Sequence, residues 1–182
     1  MHEEPTTVVI QRYLDALPGD PAAEPIVREL LERAAGRLRL LCATLLYKSY
    51  PRLTRPPVNL EADELLGGVV AGLLTALRTT RPPTVRRFFA LANQHMRWQL
   101  NDLARRLLEA IEGLPETERE IFELVRIQGL THVEAAEVVG VSAKTVQRRL
   151  NRARLLLVEQ LDDLRPAISS EPALPPGDTP GP

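Results

Sequence analysis

The chain of 182 residues carries 23 Lys and Arg against 24 Asp and Glu, and its formal net charge of −1 does not by itself indicate a class of partner. A single cysteine and three scattered histidines exclude a disulfide framework and suggest no zinc site, so we expect neither a metal nor a cofactor. No apolar run resembles a signal peptide or is long enough to cross a membrane. We therefore expect a cytoplasmic protein.

Apolar residues recur at helical spacing along the chain, and no stretch alternates over a useful length as a strand would. A short helix is predicted over Thr6–Leu17 and is ended by Pro18. A longer helix follows, with an apolar stripe from Val27 to Leu45 that contains the lone Cys42. Further helices are predicted over 63–77, from Thr84 to Leu107 and over 116–127. The pattern indicates an all-α fold.

Two short helices with a tight turn are predicted between Gly129 and Leu157. Thr131 and Glu134 have the spacing of a capping box at the start of the first helix. Gly140 breaks the pattern, and Ser142 is a good N-cap for the second helix. The apolar stripe expected on that second helix consists of Ala143, Val146, Leu150, Ala153 and Leu157.

The opposite face of the second helix carries five positive charges and no acid. Small residues around a tight turn, followed by a cationic helix, are typical of a helix-turn-helix whose second helix enters the DNA major groove. The alternative is a solvated basic face on an ordinary helical hairpin. Charge is also uneven elsewhere, because 78–106 holds seven Arg and one acid whereas 109–137 holds eight Glu and two Arg.

Two stretches resemble a bacterial RNA polymerase sigma factor of the extracytoplasmic-function (ECF) type. The stronger one, LPETEREIFELVRIQGLTHVEAAEVVGVSAKTVQRRLNRAR, resembles region four, which reads the promoter −35 element. The weaker one, NLEADELLGGVVAGLLTAL followed by VRRFFALANQHMRWQLNDLARR, resembles region two, which binds core polymerase and captures the melted −10 element. The resemblance spans roughly Arg28 to Leu161 and implies core RNA polymerase and promoter DNA as partners, with an anti-sigma factor as a further candidate.

The resemblance also implies a role for individual residues. Base edges would be read by Gln147, Arg148, Asn151 and Arg152, and phosphates would be held by Lys144, Thr145, Arg149 and Arg154. Single-stranded DNA would meet Gln94, His95, Arg97, Trp98, Asn101 and Arg105, with Arg86 and Arg87 as plausible phosphate contacts, and core polymerase would meet Asp63 and Glu64. These assignments have simpler structural alternatives. Trp98 is alternatively a core aromatic, and Asp63 and Glu64 are alternatively helix-start acids. Arg86 and Arg87 are alternatively part of a solvated face, and each residue on the second helix of the hairpin is alternatively a solvent-exposed side chain.

The sequence departs from the family pattern at two places. Gly67 and Gly68 stand where family members usually carry an amide and an acid. The family's long flexible linker is replaced by a short junction over 108–114. Eight steps of extended chain, from Arg106 to Leu114, reach at most roughly 27 Å, whereas one turn of DNA is about 34–36 Å. The two promoter elements can therefore be read at once only if this short junction allows the two regions to reach both of them.

The predicted organisation is a region-two-like helical domain over 6–107, the junction over 108–114, a region-four-like helix-turn-helix domain over 115–165 and a disordered Pro-rich tail over 166–182. The leading hypothesis is a sigma factor. The alternatives are a stand-alone helix-turn-helix regulator without affinity for core polymerase, a helical module that binds an acidic protein, and an enzyme acting on DNA. An enzyme is not expected, because the four serines offer no nucleophile–base pair.

Overall fold

A computed structural model describes residues 5–16 and 24–162, and over these ranges the protein contains helices and loops without a strand. The all-α prediction is thus confirmed for the described part of the chain. The predicted Pro-rich tail and the end of the first predicted helix at Leu17 lie outside the described residues. The helices are α1 (Thr6–Asp15), α2 (Glu24–Ser49), α3 (Ala62–Thr79), α4 (Val85–Glu112), α5 (Glu116–Phe122), α6 (His132–Val139) and α7 (Ala143–Asp162), with a π-helical turn over Glu123–Ile127.

The chain divides into two compact units. Among the described residues, the first unit comprises 5–16, 24–49 and 61–99, and the second comprises 50–60 and 100–162. The division falls inside α4, which gives its first fifteen residues to one unit and the rest to the other. The boundaries inferred from sequence, at 107 and 115, separate the region-two-like domain from the region-four-like domain. They stay a prediction.

The first unit is built on the packing of α2 against α3 and of α1 against α2. Its core is filled by the apolar stripes that the spacing predicts, including Leu38 of α2, Val69 and Leu73 of α3 and Phe88 of α4, all fully buried. Cys42 is buried in the same core. Burial raises the pKa of its thiol to about 11, so the thiol stays protonated at neutral pH.

The second unit packs α5 and α6 against α7 around one apolar cluster. Its α5 begins after Pro115, and the acids Glu116 and Glu118 in its first turn complement the helix dipole. The loop over 50–60 also belongs to this unit and is closed by a hydrogen bond from the Leu60 amide to the Leu53 carbonyl (2.8 Å). The buried cluster consists of Ala110, Ile111, Leu114, Ile121, Phe122, Ala135, Ala136, Val146, Leu150, Ala153 and Leu157.

Candidate nucleic-acid interface

The first helix of the hairpin, α6, begins with the predicted capping box. The Thr131 amide donates to Glu134 Oε2 (2.7 Å), and the Glu134 amide donates to Thr131 Oγ1 (3.2 Å). Each side chain therefore satisfies a backbone amide that the helix itself leaves without a partner. The hydrogen bonds from the Thr131 side chain and then from its amide lower the pKa of the Glu134 carboxyl below its ordinary value.

We expect Thr131→Ala to destabilise the protein by about 1 kcal/mol, because the substitution removes an N-cap side chain. The free energy of unfolding from denaturant titration measures this loss. The difference from wild type should shrink as the pH falls, because a carboxyl with a lowered folded-state pKa contributes stability above its unfolded pKa and loses it as pH falls through the folded value. A loss that is constant from pH 7 to pH 3 would contradict this role of Glu134.

The turn between α6 and α7 has the geometry that its sequence requires. Gly140 adopts a left-handed conformation with φ of 71°, which glycine tolerates without strain. The Val141 amide donates to the Ala136 carbonyl (3.0 Å) and closes the turn. Ser142 Oγ then accepts from the Thr145 amide (3.2 Å), as predicted for the N-cap of α7. The hairpin is thus fixed by local hydrogen bonds at both ends of its turn.

The buried face of α7 agrees with the predicted stripe at four of five positions. Val146, Leu150, Ala153 and Leu157 are buried, whereas Ala143 is exposed. Ala143 is the first residue of the helix, and its spacing places it on the side of the stripe without indicating whether a neighbouring helix covers it.

The face of α7 opposite this stripe is open to solvent. No ion pair is formed by Lys144, Arg148, Arg149 or Arg154 within the ranges that the structure describes. Arg152 differs, because its Nε lies 3.6 Å from Oε1 of the buried Glu118 on α5. All four predicted base-reading residues are exposed: Gln147, Arg148, Asn151 and Arg152. Among the predicted phosphate contacts, Lys144 is exposed, whereas Thr145, Arg149 and Arg154 are half-buried.

In the first unit, the residues predicted to meet single-stranded DNA differ in accessibility. Gln94 and Arg97 are exposed, as are Arg86 and Arg87, whereas Trp98 is half-buried. His95 requires a correction, because only 6% of it is exposed. Its ring lies edge-on to Trp98 with the centroids 5.2 Å apart, and desolvation lowers its pKa, so it is a neutral core residue that supports Trp98.

Asn101 and Arg105 lie on the part of α4 that belongs to the second unit, and both were predicted to contact single-stranded DNA. Both side chains are exposed, but each already forms hydrogen bonds within the protein. The Tyr50 hydroxyl donates to Asn101 Oδ1 (2.6 Å). Arg105 donates to Asp102 and to Glu109, each at 2.7 Å, and these hydrogen bonds raise its pKa further. Any contact of Arg105 with phosphate competes with these two carboxylates.

The acids predicted to meet core polymerase, Asp63 and Glu64, lie in the first turn of α3. Asp63 receives a two-point interaction from Arg39 of α2, with Nε at 2.6 Å from Oδ1 and Nη2 at 2.8 Å from Oδ2. Both side chains remain well exposed, so this pair is accessible to a partner. The first-turn position also fits the simpler role of complementing the helix dipole.

Three partners of these residues were not identified from the sequence: Arg39, Tyr50 and Glu118. Each contacts a residue more than twenty positions away, so no local spacing could indicate it. The ion pairs of Arg105 were also missed, although Asp102 and Glu109 stand at the helical spacings that favour such pairs.

Within 5–16 and 24–162, no group of three or more His, Cys, Asp or Glu side chains could hold a metal ion. None of the helices in these ranges is long and apolar enough to cross a membrane.

Comparison with known proteins gives a match over the hairpin. Residues 104–157 match the family described as "Sigma-70, region 4". No curated protein matched the sequence. Among solved structures, the structure of CnrH in complex with the cytosolic domain of CnrY is 22% identical to this chain, with a TM-score of 0.31. That alignment covers 87% of this chain and 99% of the other.

Proposed function

We propose that the protein is a sigma factor of the ECF type, a non-enzymatic cytoplasmic subunit that binds core RNA polymerase and directs initiation at particular promoters. The observation that carries the proposal is the capped helix-turn-helix with a cationic α7 inside the segment that matches sigma-70 region 4. A helix-turn-helix places its second helix in the major groove, where every base pair presents a distinct pattern of donors and acceptors.

In this proposal, the polar side chains of α7 form two groups, base readers and phosphate contacts. Arginine is suited to guanine and amides are suited to adenine, so Gln147, Arg148, Asn151 and Arg152 are the proposed base readers. Lys144, Thr145, Arg149 and Arg154 are the proposed phosphate contacts, which fix the position of α7 on the duplex. Their exposure and half-exposure are compatible with these roles.

Capture of the melted −10 strand is proposed for Gln94, Arg97, Trp98, Asn101 and Arg105. Trp98 supplies the planar surface on which an extruded base could stack, and His95 holds it from within the core. An anti-sigma factor remains a candidate partner of the protein.

The proposal is tested by transcription with purified core polymerase and DNA selected by the protein from a random duplex library. Promoter-dependent transcripts are expected only when the protein is added. Asp63→Ala and Glu64→Ala should weaken co-purification with core polymerase, whereas Glu61→Ala, which removes an exposed acid just before the same helix, should not. Absence of both polymerase binding and promoter-dependent transcripts would rule out a sigma factor.

The second candidate is a stand-alone helix-turn-helix regulator that does not bind core polymerase. Two observations favour it: the family match is confined to 104–157, and only three residues separate the end of α4 at Glu112 from the start of α5. This candidate predicts a stable dimer and a palindromic binding site. The selected DNA sequences and the mass of the protein in solution distinguish the two candidates.

A further inference from the structure

A buried carboxylate lies behind the exposed face of α7. The side chain of Glu118, in the first turn of α5, is 7% exposed, whereas that of Arg152 is 69% exposed. Glu118 Oε1 lies 3.6 Å from Arg152 Nε, and Thr117 Oγ1 donates to Glu118 Oε2 at 2.7 Å. One carboxylate oxygen is thus held by a neighbouring hydroxyl while the other faces the arginine.

The contact uses one particular edge of the guanidinium. Arginine presents five N–H donors in a planar fork, and Nε is on the side nearest the backbone. An acid beside Nε attracts the guanidinium and leaves the two terminal nitrogens available. Two parallel N–H groups are what guanine O6 and N7 accept in the major groove.

Arg152 differs from the other cations of α7 because an acid lies beside it. In the ranges 5–16 and 24–162, none of Lys144, Arg148, Arg149 and Arg154 is paired with an acid. Each of these four side chains loses rotamer freedom when it binds DNA, whereas the carboxylate beside Arg152 favours one placement of its guanidinium before binding. Glu118 is also the one buried acid among the described residues, and Arg152 is the cation that approaches it.

We propose that Glu118 is a positioning residue that orients the Arg152 guanidinium toward a guanine and thereby sets the specificity of the helix-turn-helix at one base pair. This proposal rests on the proposed reading of duplex DNA by α7. Glu118 does not touch DNA in this scheme. It acts through Arg152, and Thr117 in turn orients Glu118.

The test compares Glu118→Gln with Glu120→Gln in the full-length protein. Both variants lose one negative charge on α5, but Glu120 is exposed and forms no ion pair with Arg152. The probe is the duplex that wild-type protein selects from a random library, together with its single-base variants. We expect Glu118→Gln to reduce the preference for guanine about fivefold at one position and to leave the other positions unchanged. Glu120→Gln should retain the wild-type preference at every position.

A double-mutant cycle separates positioning from a general effect of charge. In an Arg152→Ala background, Glu118→Gln should cause no further loss of preference. Thr117→Val changes an exposed side chain and spares the buried charge, so it provides a second test if Glu118→Gln fails to fold. We expect a smaller loss at the same base pair.

Besides an unchanged guanine preference in both Glu118→Gln and Thr117→Val, two results would overturn the proposal. One is a uniform gain in affinity for all sequences in Glu118→Gln, which would mean that the acid merely repels DNA. The other is a loss of guanine preference that persists without Arg152. If wild-type protein selects no sequence at all, the proposed function itself fails. If Arg152→Ala loses the preference while Glu118→Gln and Thr117→Val keep it, only the positioning role fails.

Discussion

Leu150→Ala should destabilise the helix-turn-helix domain by about 2–5 kcal/mol and abolish DNA binding at 37 °C. Leu150 is 2% exposed and lies at the centre of the buried stripe of α7, in the cluster that joins this helix to α5 and α6. Truncation removes buried apolar surface and leaves a cavity that the surrounding helices fill only in part. Denaturant titration followed by circular dichroism measures the loss.

The matched control is Leu155→Ala on the same helix. Leu155 is 71% exposed, so the same chemical change there removes little buried surface and should alter stability by less than about 0.5 kcal/mol. Equal losses from the two substitutions would mean that α7 does not bury the face assigned to it.

Arg152→Ala and Arg149→Ala should weaken DNA binding in different ways. As a proposed base reader, Arg152 should contribute about 1–3 kcal/mol of discrimination at one position, and its loss should relax specificity there. Arg149 is a proposed phosphate contact, so its loss should weaken binding to all sequences alike and reduce the dependence of affinity on salt by about one counterion. Binding isotherms on the selected duplex and its single-base variants, at several salt concentrations, separate the two effects.

Two controls accompany this comparison. Arg152→Ala leaves the buried Glu118 without its cation, so its thermal stability must be measured before a change in binding is interpreted. Gln160→Ala changes an exposed residue near the end of α7 and should leave specificity and salt dependence unaltered. If Arg152→Ala and Arg149→Ala had equal effects on every sequence, the division into base and phosphate contacts would be wrong.

Local sequence was sufficient to predict the hairpin in detail. Thr131 and Glu134 form the expected capping box, Gly140 adopts the left-handed turn, and Ser142 caps α7. Each of these features depends on residues three or four positions apart, whose geometry is set by the helix itself. Ala143 was wrongly predicted to be buried, because helical spacing indicates the side of a helix but not whether another helix covers the residue.

Accessibility and partners were harder to predict from the sequence. His95 and Trp98 are both on α4, and only the structure shows that the first is buried against the second. Gly72 of α3 allows His95 to pack closely, because a Cβ there would lie 3.1 Å from His95 Nδ1. Such a packing partner is separated by more than twenty residues and has no periodicity to reveal it.

The sequence by itself determined the helical class, the caps, the turn and the cationic face of α7, because all of these arise from short-range spacing and residue chemistry. Tertiary structure alone decided which charges are paired. Arg39 meets Asp63 because α2 packs on α3, and Glu118 meets Arg152 because α5 packs on α7. Those pairings depend on which helix faces come together in space, and local spacing carries no information about distances between separate helices.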